Sequence, residues 1–140
     1  MTDPAWTSRT LHITRGHLLT ANDKFHWARR ASLTKQWRRW ACLLGREGEG
    51  VANLGLQHAR VVVEFAYPDN RRRDRHNLAP TVKAVMDGLI DAGLLPDDAD
   101  RFLDGPHTVI ADRLAEKRLG LPMYELRVLV YADTDNEQGK

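Results

Sequence analysis

Apolar positions along the chain follow two rhythms, and each rhythm predicts an element. From Arg9 to Thr14, Leu11 and Ile13 alternate with polar neighbours, as a short strand does. Gly16 to His26 has no period, and Asn22 and Asp23 there are turn formers. Leu33, Trp37, Trp40, Ala41 and Leu44 then recur at helical spacing, with Ser32 as N-cap and Gly45 as stop. The Trp37/Trp40 pair lies on that apolar face and reads as core, and Cys42 reads as a small core or boundary residue. Lys35, Arg38 and Arg39 fall away from it. The loop Gly45–Gly50 (GREGEG) is expected to separate two lobes of one domain.

The second half follows the same logic. Ala59–Tyr67 (ARVVVEFAY) is rich in β-branched and aromatic residues and ends at Pro68, which predicts a strand. A helix is expected over 78–92, with Pro80 in its first turn, Val82, Val85, Met86 and Leu89 as its buried stripe, and Gly93 as its cap. His107–Leu114 and Tyr124–Tyr131 read as further strands. Residues 1–8 and 133–140 read as flexible tails. The expected fold is a single α+β domain spanning 1–140, with a small mixed sheet of about four strands covered by helices.

Composition narrows the function classes. A chain of 140 residues supports one core. Its single cysteine excludes an intramolecular disulfide and any multi-cysteine zinc module. No apolar run is long enough to span a membrane and no signal peptide is legible, so a cytoplasmic location is expected. Net charge is only +2, but its distribution is uneven. Positive charge is dense at Arg29, Arg30, Lys35, Arg38 and Arg39 and again at Arg71, Arg72 and Arg73, while acidic residues gather at 97–104. A basic face beside an acidic pocket suits a nucleic-acid enzyme. There is no phosphate-binding glycine loop and no nucleophile elbow, which removes nucleotide hydrolysis and acyl transfer by those routes and with them a nucleotide cofactor.

The chemistry concentrates in Arg71–Asp98, RRRDRHNLAPTVKAVMDGLIDAGLLPDD. Phosphodiester cleavage needs carboxylates that can hold a hard divalent cation and cationic groups that receive the phosphate backbone. Asp74, His76 and Asn77 open the segment, and Asp97 and Asp98 close it. A helix between the clusters cannot bring its own ends together, so a common site requires the chain to fold back. Each signal has a plainer reading. Arginine runs are usually solvated, Asp97–Asp98 after Pro96 is ordinary turn chemistry, and Lys83, Asp87 and Asp91 at i, i+4, i+8 describe a surface salt-bridge ladder. Their order along the chain favours a site.

That order resembles the signature of the RusA family of Holliday junction resolvases: RRRDRHN, then PTVKAVMDGLIDAG, then LLPDD, with LTANDKFHW and TKQWR similar to the family's N-terminal part. The resemblance covers residues 10–131 and is most specific in the central motif. It implies a homodimeric, magnesium-dependent endonuclease, with manganese as the alternative ion, that nicks four-way DNA junctions symmetrically. By the same resemblance Asp74 and Asp98 are catalytic and metal-binding, Asp97 is an acidic neighbour in the metal site, and Lys83 is the catalytic lysine pointing its charge at the transition state. Asn77 matches the asparagine after the acidic cluster. Arg71, Arg72 and Arg73, with Arg38 and Arg39, are expected to hold phosphates without reading bases.

Two departures stand out. His76 occupies the place where the family often carries a second aspartate, and the interval from Asn77 to Lys83 is longer by three residues than in the shorter members. Losing one carboxylate weakens a magnesium site, and imidazole suits manganese or zinc better. His76 is thus open to three readings: metal ligand, phosphate contact, or neither. The alternative function is a structure-selective DNA-binding protein of the same fold with weak or lost cleavage. A third reading is a regulatory protein whose arginines bind an acidic partner.

Overall fold

The structure, a computed structural model, describes residues 3–21 and 26–132. Among these residues five strands and two α-helices follow one another, with short 3-10 turns between them: β1 (Trp6–Thr7), β2 (Leu11–Ile13), α1 (Trp27–Gly45), β3 (Ala59–Ala66), α2 (Ala79–Asp91), β4 (Leu103–Ile110) and β5 (Tyr124–Ala132). The strands form one mixed sheet in the order β1-β5-β3-β4, with β2 also pairing β5. β3 and β4 are parallel, joined through α2, and the other pairings are antiparallel. The result is a small α+β domain with two helices on the sheet, as the sequence predicts.

The strands owe their place to residues that alternate between faces. Val61, Val63 and Phe65 of β3 and Leu126, Val128 and Val130 of β5 are fully buried. On the opposite face Glu64 meets Arg127 at 2.8 Å, and the Arg60 guanidinium stands over the Tyr131 ring. The helices share the core through Leu33, Trp37, Ala41 and Leu44 of α1 and Val82, Val85, Met86 and Leu89 of α2. They cross closely because Gly88 has no side chain: a Cβ there would lie 2.3 Å from the Arg38 carbonyl oxygen and 2.6 Å from the Ala41 Cβ.

Several expectations need correction. α1 starts at Trp27, with the His26 Nδ1 accepting from the Ala28 N–H, so Ser32 is not the cap. Trp27–Ala31 contains alanines and arginines and no breaker, so helix propagates back past the serine. Asn22 and Asp23 lie outside the described residues. Gly45 is the last residue of α1, and the loop after it does not divide the domain into lobes, since one hydrophobic core runs through both halves. Trp37 is buried and donates from Nε1 to the His17 carbonyl at 2.7 Å, but Trp40 is 38% exposed and is not core. Residues 3–8 are not a loose tail, because β1 pairs with β5 there. The tail 133–140 lies outside the described residues. The fourth strand begins at Leu103, ahead of its expected start, because Leu103 and Asp104 already pair with Ala59 and Arg60, and a register shift between Arg60 and Val62 absorbs Gly105–Pro106. No described helix is long and apolar enough to cross a membrane.

Candidate functional site

The residues of 71–98 occupy the ground where β3 ends and α2 begins. After β3, Pro68 turns the chain out of the sheet and the arginine run follows. Asp74 then caps a 3-10 turn, Arg75–Leu78, its Oδ1 accepting from the His76 N–H at 2.9 Å. That turn leads directly into α2. A second anchor fixes this corner. Thr81, fully buried, donates to the Leu19 carbonyl at 2.6 Å and accepts from its N–H at 3.1 Å, while the Ala21 N–H donates to the Asn77 carbonyl at 2.9 Å. The 18–21 segment is thereby tied alongside the start of α2. Thr81 gives no sign of this role in the sequence beyond a hydroxyl on an otherwise apolar stripe.

Two clefts share Asp74. One is lined by Tyr67, Arg72, Arg73, Asp74, Arg75, His76 and Ile110. The other faces Arg15, Leu18, Thr20, Tyr67, Arg73, Asp74, Asn77 and Tyr124. The three arginines play unequal parts. The Arg71 side chain is 82% exposed, with only a 3.7 Å approach to Asp69. Arg73 is 17% exposed, paired with Asp69 at 2.7 Å and laid over the rings of Tyr67 (4.8 Å) and Tyr124 (5.7 Å). The Arg71 N–H first, and then Arg73, hold the Asp69 carboxyl below its ordinary range against the opposing effect of burial. Burial pushes the Tyr67 hydroxyl up, with Arg73 opposing. Arg73 therefore braces the loop that carries Asp74, while Arg71 and Arg72 keep their charge towards solvent and cleft.

At the other end of α2 the chain does fold back. Gly93, with φ of +94°, closes a Schellman motif in which the Leu94 N–H reaches the Leu89 carbonyl and the Gly93 N–H reaches Ile90. Leu94 and Leu95 are buried, and the segment that follows brings Asp98 within 3.6 Å of the Lys83 ammonium. Lys83 also donates to Asp87 at 2.7 Å, as the salt-bridge reading of that pair expects. Asp87 first, and then Asp98, raise the Lys83 pKa against partial burial, so its ammonium stays charged. Asp97 turns inward to its own loop, accepting from the Asp98 N–H at 2.6 Å. Asp91 leaves the expected ladder and takes a bidentate pair with Arg38 across the helices, at 2.6 and 2.9 Å. Arg38 is thus committed to a carboxylate. Arg39 is exposed on α1.

The structure brings Lys83, Asp98 and Asp87 together, and Arg72, Asp74 and His76 together. It does not gather Asp74, His76, Asp97 and Asp98 around one point: among the described residues no group of three acidic, histidine or cysteine side chains is poised for a metal ion. Asp87 and Asp98 are oxygen donors of the kind magnesium takes, but the Lys83 ammonium stands between them. The four expected ligands do not fit one ion as they stand. The chain matches no family model, and no curated protein matches it.

Proposed function

We propose that the protein is a structure-selective endodeoxyribonuclease of the RusA type that nicks four-way DNA junctions. The observation that carries the reading is the fold-back of 94–98, which sets Asp98 on Lys83 of the helix that follows Asp74. A plain surface ladder needs no such return. The arginines at 71 and 72 support it, since they offer solvent-facing charge beside the Asp74 cleft, where a phosphate backbone can be received.

The residues divide the work as follows. Arg71 and Arg72 bind phosphates and position the strand, and Arg73 holds their loop rigid. Lys83 carries a permanent positive charge, steered by Asp87 and Asp98, towards the charge developing on the scissile phosphate. Asn77, its carbonyl fixed by Ala21, sets the entry into α2. The resemblance implies magnesium or manganese, and because the expected ligands do not converge on one ion the assay supplies each metal and also omits both. A four-way junction has two-fold symmetry, so paired nicks call for two copies of the chain about a two-fold axis. Trp40 and Leu43, exposed beside Leu11 and Ile13, offer apolar surface for such pairing.

The test is nicking of a synthetic four-way junction with magnesium, with manganese and in EDTA, beside a linear duplex of the same sequence. Metal-dependent cuts at symmetry-related positions are expected, with a dimer by light scattering. Asp74→Asn and Asp98→Asn should lose cleavage and keep junction binding, because removing negative charge near phosphates gives binding no reason to fall. Junction binding without cleavage in the unaltered protein would leave the DNA-binding alternative. Neither binding nor cleavage would overturn the proposal.

A further inference from the structure

Trp27 opens α1 with 76% of its surface exposed. An indole is among the largest apolar groups a chain can bury, and this one is left outside while Trp37, ten residues on, is sealed in the core. Described residues beside it in the chain include cations. His26 precedes it with ring centroids 5.5 Å apart, Arg29 and Arg30 follow, and α1 has no acidic residue in its first turn. Of the exposed residues of the next turns, Ser32, Thr34, Lys35 and Gln36 are polar and Ala31 is small. An exposed aromatic beside cations is the arrangement that stacks on nucleobases while the cations meet phosphates.

Position strengthens the case. Trp27 and Arg30 stand at i and i+3, so they are neighbours on one face of α1. Arg30 donates to the Thr20 carbonyl at 3.2 Å, and Thr20 lines the cleft shared with Asp74 and Asn77. Arg30, beside the indole on α1, is thereby tied to the segment that lines this cleft.

We infer that Trp27 is a base-stacking residue that takes an unpaired nucleobase of the bound DNA strand. The inference rests on the nucleic-acid reading above and adds a selectivity element: a face for bases that have lost their stacking partner, as at a branch point. Fully paired duplex offers it nothing, because its bases are already stacked.

The experiment compares the unaltered protein with Trp27→Ala and Trp27→Phe, in EDTA, on a four-way junction and on a duplex carrying an unpaired bulge. Binding is read by tryptophan quenching and by 2-aminopurine fluorescence at the branch. Trp27→Ala should weaken binding of both branched DNAs by roughly 5- to 150-fold, the equivalent of ~1–3 kcal/mol per stacked base, with little change on linear duplex. Trp27→Phe should recover most of the loss. At such exposure neither variant threatens the fold, and urea midpoints check this. Junction binding by the unaltered protein with no loss in Trp27→Ala overturns the inference and leaves the nuclease proposal standing. A monomer in Trp27→Ala with unchanged affinity also overturns it, in favour of self-association through this face. Failure of the unaltered protein to bind any DNA overturns both.

Discussion

Replacing Gly88 by alanine tests the close crossing of α1 on α2. α1 carries Trp27 and Arg30, and α2 carries Lys83. At Gly88 an added Cβ would meet the Arg38 carbonyl oxygen at 2.3 Å, the Ala41 Cβ at 2.6 Å and the Cys42 nitrogen at 2.9 Å. Two of these three are backbone atoms, which cannot rotate away. Ordinary contact lies near 3.5 Å, so α1 must retreat by roughly 1 Å. A gap of that size forfeits on the order of a quarter to a half of the dispersion attraction along the seam, where Trp37, Ala41 and Leu44 meet Val85 and Leu89. Overpacking of this kind costs about 1–3 kcal/mol, and a backbone clash belongs at the upper end. Alanine returns about 1 kcal/mol of helix propensity. The net expectation is a loss of about 2 kcal/mol, or a melting temperature lower by roughly 8 °C in a domain of this size.

Urea denaturation measures it directly, through a lower midpoint at unchanged slope. Adding Ala41→Gly removes the 2.6 Å contact but not the approach to the Arg38 carbonyl, so the double variant should recover only a fraction of the loss. The sign decides the matter. If Gly88→Ala raised stability by the propensity gain alone, the helices would not touch at this point and the packing of α1 on α2 would be wrong.

Lys83→Met should cost no more than about 1 kcal/mol of stability, since the Lys83 pairs lie largely in solvent, yet lower junction turnover by roughly 10²–10³-fold. Near-normal turnover would return Lys83 to a surface ion pair. Because Asp87 and Asp98 raise its pKa, its charge persists above its ordinary 10.5, and a rate profile should show no limb from Lys83 anywhere in the neutral range. Glu125 is buried, which alone would raise its pKa, but Arg113 at 2.6 Å, the Glu116 N–H and neighbouring charge lower it overall. A depressed carboxyl stabilises the fold above its ordinary value of 4.5 and loses that contribution as pH falls through the lower folded value. Glu125→Gln should therefore flatten the acid limb of thermal stability below about pH 4.5 relative to the unaltered protein; an unchanged limb would refute the pairing.

Periodicity alone determined the strand at 59–67, the helix at 78–92 with its glycine cap, and the α+β class, because these follow from short-range patterning of apolar residues and from backbone preferences of single residues. It also brought out the cluster of charged residues at 71–98, since charge and residue type are written in the sequence. Only the tertiary structure decided what each of those groups touches. The early start of α1 depends on propagation through residues with no apolar signal. Trp40 lies on the same helical stripe as Trp37, yet stands partly in solvent because no described element covers it. Arg73 and Arg71 are identical in sequence terms, but two tyrosines, from the end of β3 and from β5, seize one and leave the other facing solvent. Asp91 went to Arg38 on another helix instead of along its own, and Asp98 reached Lys83 because a Schellman turn and two buried leucines steered the chain back. Such pairings join positions far apart in the chain, and the free energy that selects them comes from burial shared across elements, which no local window of sequence contains.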